Sequence, residues 1–234
     1  MREEGSNLLI IKSDISLLLV NLIWGATFVT MKNLLESVPP LAILFWRFAI
    51  ATFLLLLISL FSKWHKIDWV SGVSLGMCLF AGYLFQTWGL IYTTPARSAF
   101  ITGLSVILVP PLAFLLLKSS IDQFSIVGTI ISLFGLGLLA WQKGETKSIF
   151  LLGDFLTLLG AAAYALQIVL VEKFTKENES LPLATIEMGT VALLSLVFGI
   201  LFHQNMNPCF SGKEWGSILF LGIFATALAF TLQK

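Results

Sequence analysis

The chain has 234 residues, of which 57% are hydrophobic and only 12% charged, and its formal net charge is +1. That composition cannot build a water-soluble surface, and nothing in it resembles the basic, aromatic-laced face of a nucleic-acid binder. Apolar runs of about 20 residues, enough to cross ~30 Å of hydrocarbon as helix, recur along the chain with short polar joints between them.

Eight spans are expected, at 15–34, 41–61, 70–92, 99–117, 121–140, 150–171, 183–202 and 215–232. The runs are unbroken Leu and Ile rather than short alternating segments, so helices and not a β-barrel satisfy the backbone. The fold class is all-α, a polytopic transmembrane helical bundle. The leading "MREEGSNLLIIKSD" carries both signs of charge and enters a span too long for a signal-peptide core, so the first span is expected to stay as an anchor. Lys and Arg set orientation. With the N-terminus in the cytoplasm of a cell-membrane protein, the inner side collects Arg2, Lys12, Lys63, Lys66, Lys118, Lys173, Lys176 and Lys234, and the outer side Lys32, Arg97, Lys143, Lys147 and Lys213.

The first span contains "NLIWGATFVTMK", in which Asn21, Trp24, Phe28 and Lys32 follow helical steps and share one face. Polar groups are costly against lipid, so this stripe points into the bundle, with Asn21, Trp24 and Phe28 as substrate contacts. The competing reading is that such residues tie helices together or anchor span ends. In the second span Arg47 lies about six residues deep, and pairing with headgroups or Glu36 is the simple reading. Tyr83 and Gln86 in the third are further substrate contacts, although Gln86 equally suits a tie between helices; Gly72 and Gly76 are spaced for close packing. In the fourth, Ser98, Thr102 and Ser105 share a face, Thr102 being the preferred contact, and Pro110 with Pro111 should kink the helix.

In the sixth span Tyr164 and Gln167 repeat the aromatic-plus-amide pattern. Glu187 is the one carboxylate well inside a predicted span, which makes it the candidate for proton coupling unless a cytoplasmic end solvates it. Cys78 and Cys209 are too differently placed for a disulfide, and His65 and His203 sit in separate joints. With no HExxH metal pair or phosphate-binding loop, neither an enzyme nor any cofactor or metal is implied. The partners expected are a small-molecule substrate and the lipid bilayer.

The chain also repeats itself. "DISLLLVNLIWGATFV" from Asp14 parallels "DFLTLLGAAAYALQIV" from Asp154, "PPLAILFWRF" parallels "LPLATIEMGT", and "WVSGVSLG" parallels "WGSILFLG". Residues 14–140 then form a first unit of five helices and 150–234 a second of three. An odd number of spans per unit inverts the second copy across the membrane, an architecture suited to alternating access.

These segments, with "LFWRFAIATFLLLL", "LIYTTPARSAFITGLSVILVPPLAFLLL" and "LFLGIFATALAF", resemble the drug/metabolite transporter superfamily in its EamA-type branch. The resemblance covers nearly the whole chain. It implies a ten-helix carrier of small metabolites, amino acids or toxic compounds, usually outward, with a central cavity between two halves, and an arginine in the second helix at Arg47. The second copy ends at "FTLQK", short of two helices. The chain alone is therefore expected to transport poorly, and an extension by two spans, or a homodimer, to complete the pathway. The alternative is a non-transporting membrane protein or assembly partner.

Overall fold

A computed structural model describes residues 2–59, 68–118, 123–140, 148–176 and 178–229. Lys63, His65, Lys66, Lys143, Lys147 and Lys234, invoked above for orientation or chemistry, lie outside the described residues. The elements are α1 (Arg2–Leu34), α2 (Pro40–Ser59), α3 (Trp69–Tyr92), α4 (Pro95–Gly103), α5 (Ser105–Leu117), α6 (Gln123–Ala140), α7 (Ser148–Thr175), α8 (Ser180–Leu201) and α9 (Gly212–Gly222), the last running on into a π-helix, Ile223–Leu228. Five stretches among the described residues are long and apolar enough to cross a membrane: Pro40–Ser59, Trp69–Tyr92, Pro95–Leu117, Leu151–Thr175 and Ser180–Leu201. The apolar part of α1, Leu18–Leu34, is shorter, although the helix itself begins as early as Arg2. Large apolar side chains such as Leu22, Phe53, Leu115, Ile131, Leu193 and Ile200 stand exposed on the outside, as a surface solvated by lipid requires.

Helix ends carry recognisable caps. The Asp68 side chain accepts the backbone N–H of Ser71 and opens α3, Thr94 does the same for Arg97 ahead of Pro95, and Ser211 with Glu214 forms a capping box on α9. Helix four departs from the expected kink at its prolines. The break comes earlier, at Leu104, whose N–H turns back to Ile101 and Thr102, and Pro110 and Pro111 lie inside α5. Prolines cannot donate to the carbonyls one turn upstream; the chain tightens beside Gly103, where no side chain resists, and restarts as α5.

The core lies where α2 and α3 pack on α8, with Leu41, Leu44, Phe48, Leu79 and Met188 buried. Helices α3 and α7 meet backbone to backbone. A Cβ added at Gly89 would stand 2.7 Å from the Gly153 carbonyl oxygen, one at Gly153 would stand 2.8 Å from that of Gly89, and one at Gly160 would stand 2.9 Å from that of Gly82. Without side chains between them the axes approach closely. Gly72 and Gly76 play the packing role expected of them, against Ile186 and Thr190 of α8. Gly89→Ala should therefore cost about 1–3 kcal/mol, the usual penalty for overpacking, seen as a lower melting temperature in detergent. An unchanged melting temperature would mean the seam is looser than its geometry.

Candidate substrate cavity

A cavity of about 420 Å³ opens between α1, α3, α4, α5, α7 and α8, within the ~300–1,000 Å³ range of small-molecule sites. Helix α1 contributes Trp24, Thr27 and Phe28; α3 contributes Leu79, Tyr83 and Gln86; the α4–α5 break contributes Thr102 and Ser105. The opposite wall is Tyr164, Gln167, Ile168 and Val171 of α7 with Glu187 of α8. Four aromatic rings thus face one carboxylate, and no basic side chain lines the cavity among the described residues.

The polar groups are held by one another. Tyr164 donates its hydroxyl to Gln86 Oε1 at 3.1 Å, and Gln86 donates through Nε2 to Thr102 Oγ1 at 2.9 Å, linking α7, α3 and α4. Gln86 therefore ties three helices together while also lining the cavity. The Tyr83 and Tyr164 rings meet edge to face at 5.3 Å. Glu187, with no solvent exposure, accepts from Gln167 Nε2 at 2.6 Å. Its position is not a solvated helix end.

Arg47 corrects the expectation that it pairs with headgroups or Glu36. Its side chain is 2% exposed and turns into the core, where Nε donates to Thr226 Oγ1 at 2.7 Å and Nη2 to Tyr83 Oη at 3.0 Å. The guanidinium also lies over the Tyr83 ring, 4.6 Å from its centroid. Among the described residues it meets no carboxylate, so neutral acceptors and ring faces carry the charge. The reason is geometric: the side chain turns across to the π-helix, where the Thr226 hydroxyl and the Ala225 carbonyl lie within its reach.

The cavity's surroundings are tied at their ends. Lys32 Nζ donates to the carbonyls of Leu90, Ile91 and Thr93 at 2.7, 3.0 and 3.0 Å, placing a cation where the C-terminal dipole of α3 favours one. Arg97 pairs with Asp154, which also accepts from Thr93, so the α3–α4 turn is fixed to α7. Ser37 donates to Glu214, joining the α1–α2 turn to α9; this bond first, and those from Ser211 next, hold the Glu214 carboxyl below its usual range. Cys78 and Cys209 are both free thiols.

Of the residues singled out from sequence, Trp24, Phe28, Tyr83, Gln86, Thr102, Tyr164, Gln167 and Glu187 come together in the cavity wall. Asn21 does not. It is exposed and outside the lining: three residues before Trp24, it lies ~4.5 Å away along the helix axis and about 60° around it. Ser98 is buried behind the wall. Thr27 and Ser105 were legible, being one turn from Trp24 and Thr102; the apolar Leu79, Ile168 and Val171 carried no signal that set them apart from lipid-facing neighbours.

A bundle of apolar helices around a polar and aromatic chamber defines a multi-pass membrane transporter. The family model described as "EamA-like transporter family" matches this chain over residues 11–141 and again over 151–233, and the chain belongs to that family. An uncharacterized transporter of Archaeoglobus fulgidus is 32% identical over 226 residues, covering 95% of this chain and 68% of that protein. The uncharacterized transporter YyaM of Bacillus subtilis is 30% identical, covering 92% of this chain and 74% of its own. A solved crystal structure superimposes with a TM-score of 0.72 at 20% identity, over 94% of this chain and 77% of the other, and shares the fold.

Proposed function

We propose that the protein carries small amphipathic solutes with a cationic pole, outward, by alternating access. The observation that carries this reading is the wall itself: aromatic rings, of which those of Trp24, Phe28 and Tyr164 can offer a face to a cation, together with the Glu187 carboxylate and, among the described residues, no basic lining residue. An anion would meet that carboxylate in a poorly screened site. Trp24, Phe28 and Tyr164 would hold the apolar and cationic parts, Tyr83, whose ring already faces the Arg47 guanidinium, would add apolar surface, and Gln86, Thr102 and Gln167 would hold the polar ones. Asn21 would act only before the solute reaches the chamber. Glu187 would bind either the solute's cation or a proton, so that release of one accompanies uptake of the other. The repeat at 14–140 and 150–234 supports two inverted halves, and the Lys and Arg bias supports a cytoplasmic N-terminus in the cell membrane. No chemical step or cofactor enters this reading.

The test is flux in liposomes holding the full-length protein. Benzyltrimethylammonium should move, driven by an opposing proton gradient, while phenylacetate, an anion of comparable size, should not. Transport of phenylacetate alone would reverse the assigned charge of the substrate.

A further inference from the structure

The helix that follows α9 has a feature the cavity does not explain. Across Ile223–Leu228 the turns widen to a π-helix, a rare conformation that often marks functional sites. In a regular α-helix the Ala229 N–H would go to the Ala225 oxygen; here it goes to Phe224 and Thr226. The Ala225 oxygen accepts the indole N–H of Trp24 at 3.0 Å, with Arg47 Nη2 further off at 3.5 Å. Thr226, fully buried, accepts from Arg47 Nε and itself donates to the Leu221 oxygen at 2.8 Å.

Both donors connect back to the chamber. Trp24 lines it directly, and Arg47 holds the hydroxyl of Tyr83, which lines it from α3. A solute stacked on the indole face therefore touches a ring whose edge is bonded to the π-turn, 201 positions away in sequence. We propose that Trp24 and Arg47 are positioning residues that couple occupancy of the cavity to the π-turn, with the Ala225 carbonyl as the contact made or released. A ligand shifts such a contact only by favouring one of its two states. The indole supplies that difference, since rotation of the ring changes at once the face offered to the solute and the N–H offered to Ala225. The inference rests on the cavity being the substrate site.

Hydrogen exchange of residues 222–229, read by mass spectrometry on the full-length protein, tests it. Trp24→Phe keeps a flat ring and removes the N–H. Without ligand it should speed exchange in the π-turn about tenfold while leaving 180–201 unchanged. With benzyltrimethylammonium, the wild type should show altered exchange in the π-turn. The Phe variant, read at a cation concentration that saturates whatever affinity it retains, should show no such change. Thr226→Val, which removes the acceptor used by Arg47, should behave like the Phe variant. Identical exchange in wild type and Trp24→Phe, with and without the cation, overturns the coupling. If neither protein binds the cation but Trp24→Phe still loosens the turn, the latch stands and the assignment of the cavity to cations falls.

Discussion

Glu187→Gln is expected to weaken benzyltrimethylammonium binding by roughly 10- to 100-fold and to leave the fold intact. The amide oxygen can still accept from Gln167, and the volume hardly changes, so what is lost is the charge. Interactions that involve a charged group contribute about 1.5–3 kcal/mol, and each 1.4 kcal/mol is about tenfold in affinity. Residual flux in this variant should no longer respond to an imposed proton gradient. Glu187→Asp, with the charge set back by one methylene, should recover part of both properties. Calorimetric titration of the cation, paired with flux at several pH gradients, measures them; full affinity and an unaltered response to the gradient in Glu187→Gln would remove this carboxylate from the mechanism.

Arg47→Ala should produce the largest loss of stability, about 3–5 kcal/mol. It removes a large buried side chain, which in cores costs about 2–5 kcal/mol, and it leaves Thr226 without the donor it accepts from. Arg47→Met is expected to lie within about 1–2 kcal/mol of the wild type. Methionine refills the space, and removing a buried cation recovers its desolvation penalty, which offsets the lost hydrogen bonds. Unfolding monitored by near-ultraviolet circular dichroism separates the two. If Met is as damaging as Ala, the hydrogen bonds outweigh the volume, and the guanidinium is a stabilising element in its own right.

The sequence discloses this molecule unevenly, for physical reasons. Transmembrane helices announce themselves because lipid demands a long apolar run, and polar side chains inside those runs stand out because each is costly there; Gln86, Gln167 and Glu187 were legible on that account. Periodicity groups residues around a helix only to within about 60° at a spacing of three and does not mark a chamber's edge, which is why Asn21 was placed with Trp24 and lies outside. Arg47 is a second case: its depth could be counted, yet its destination depends on a turn of helix 179 positions further along. The two prolines promised a bend, but the residue that yields is beside Gly103, where distortion costs least. The π-turn at Ile223–Leu228 has no mark in "IFATAL" that separates it from ordinary helix.

The glycine seam between α3 and α7 implies a division of mechanical labour. Contacts of backbone on backbone have no side chains to swing aside, so the pair behaves as a fixed spine, able at most to shear by small amounts. By contrast, α1 meets its neighbours sparsely, and the tips of Lys32 and Trp24 bind it to the end of α3 and to the π-turn. A tip contact can be surrendered to water or to a solute and taken up again. In the transport cycle proposed above, the spine would serve as the stationary jaw, and the working stroke would fall to α1.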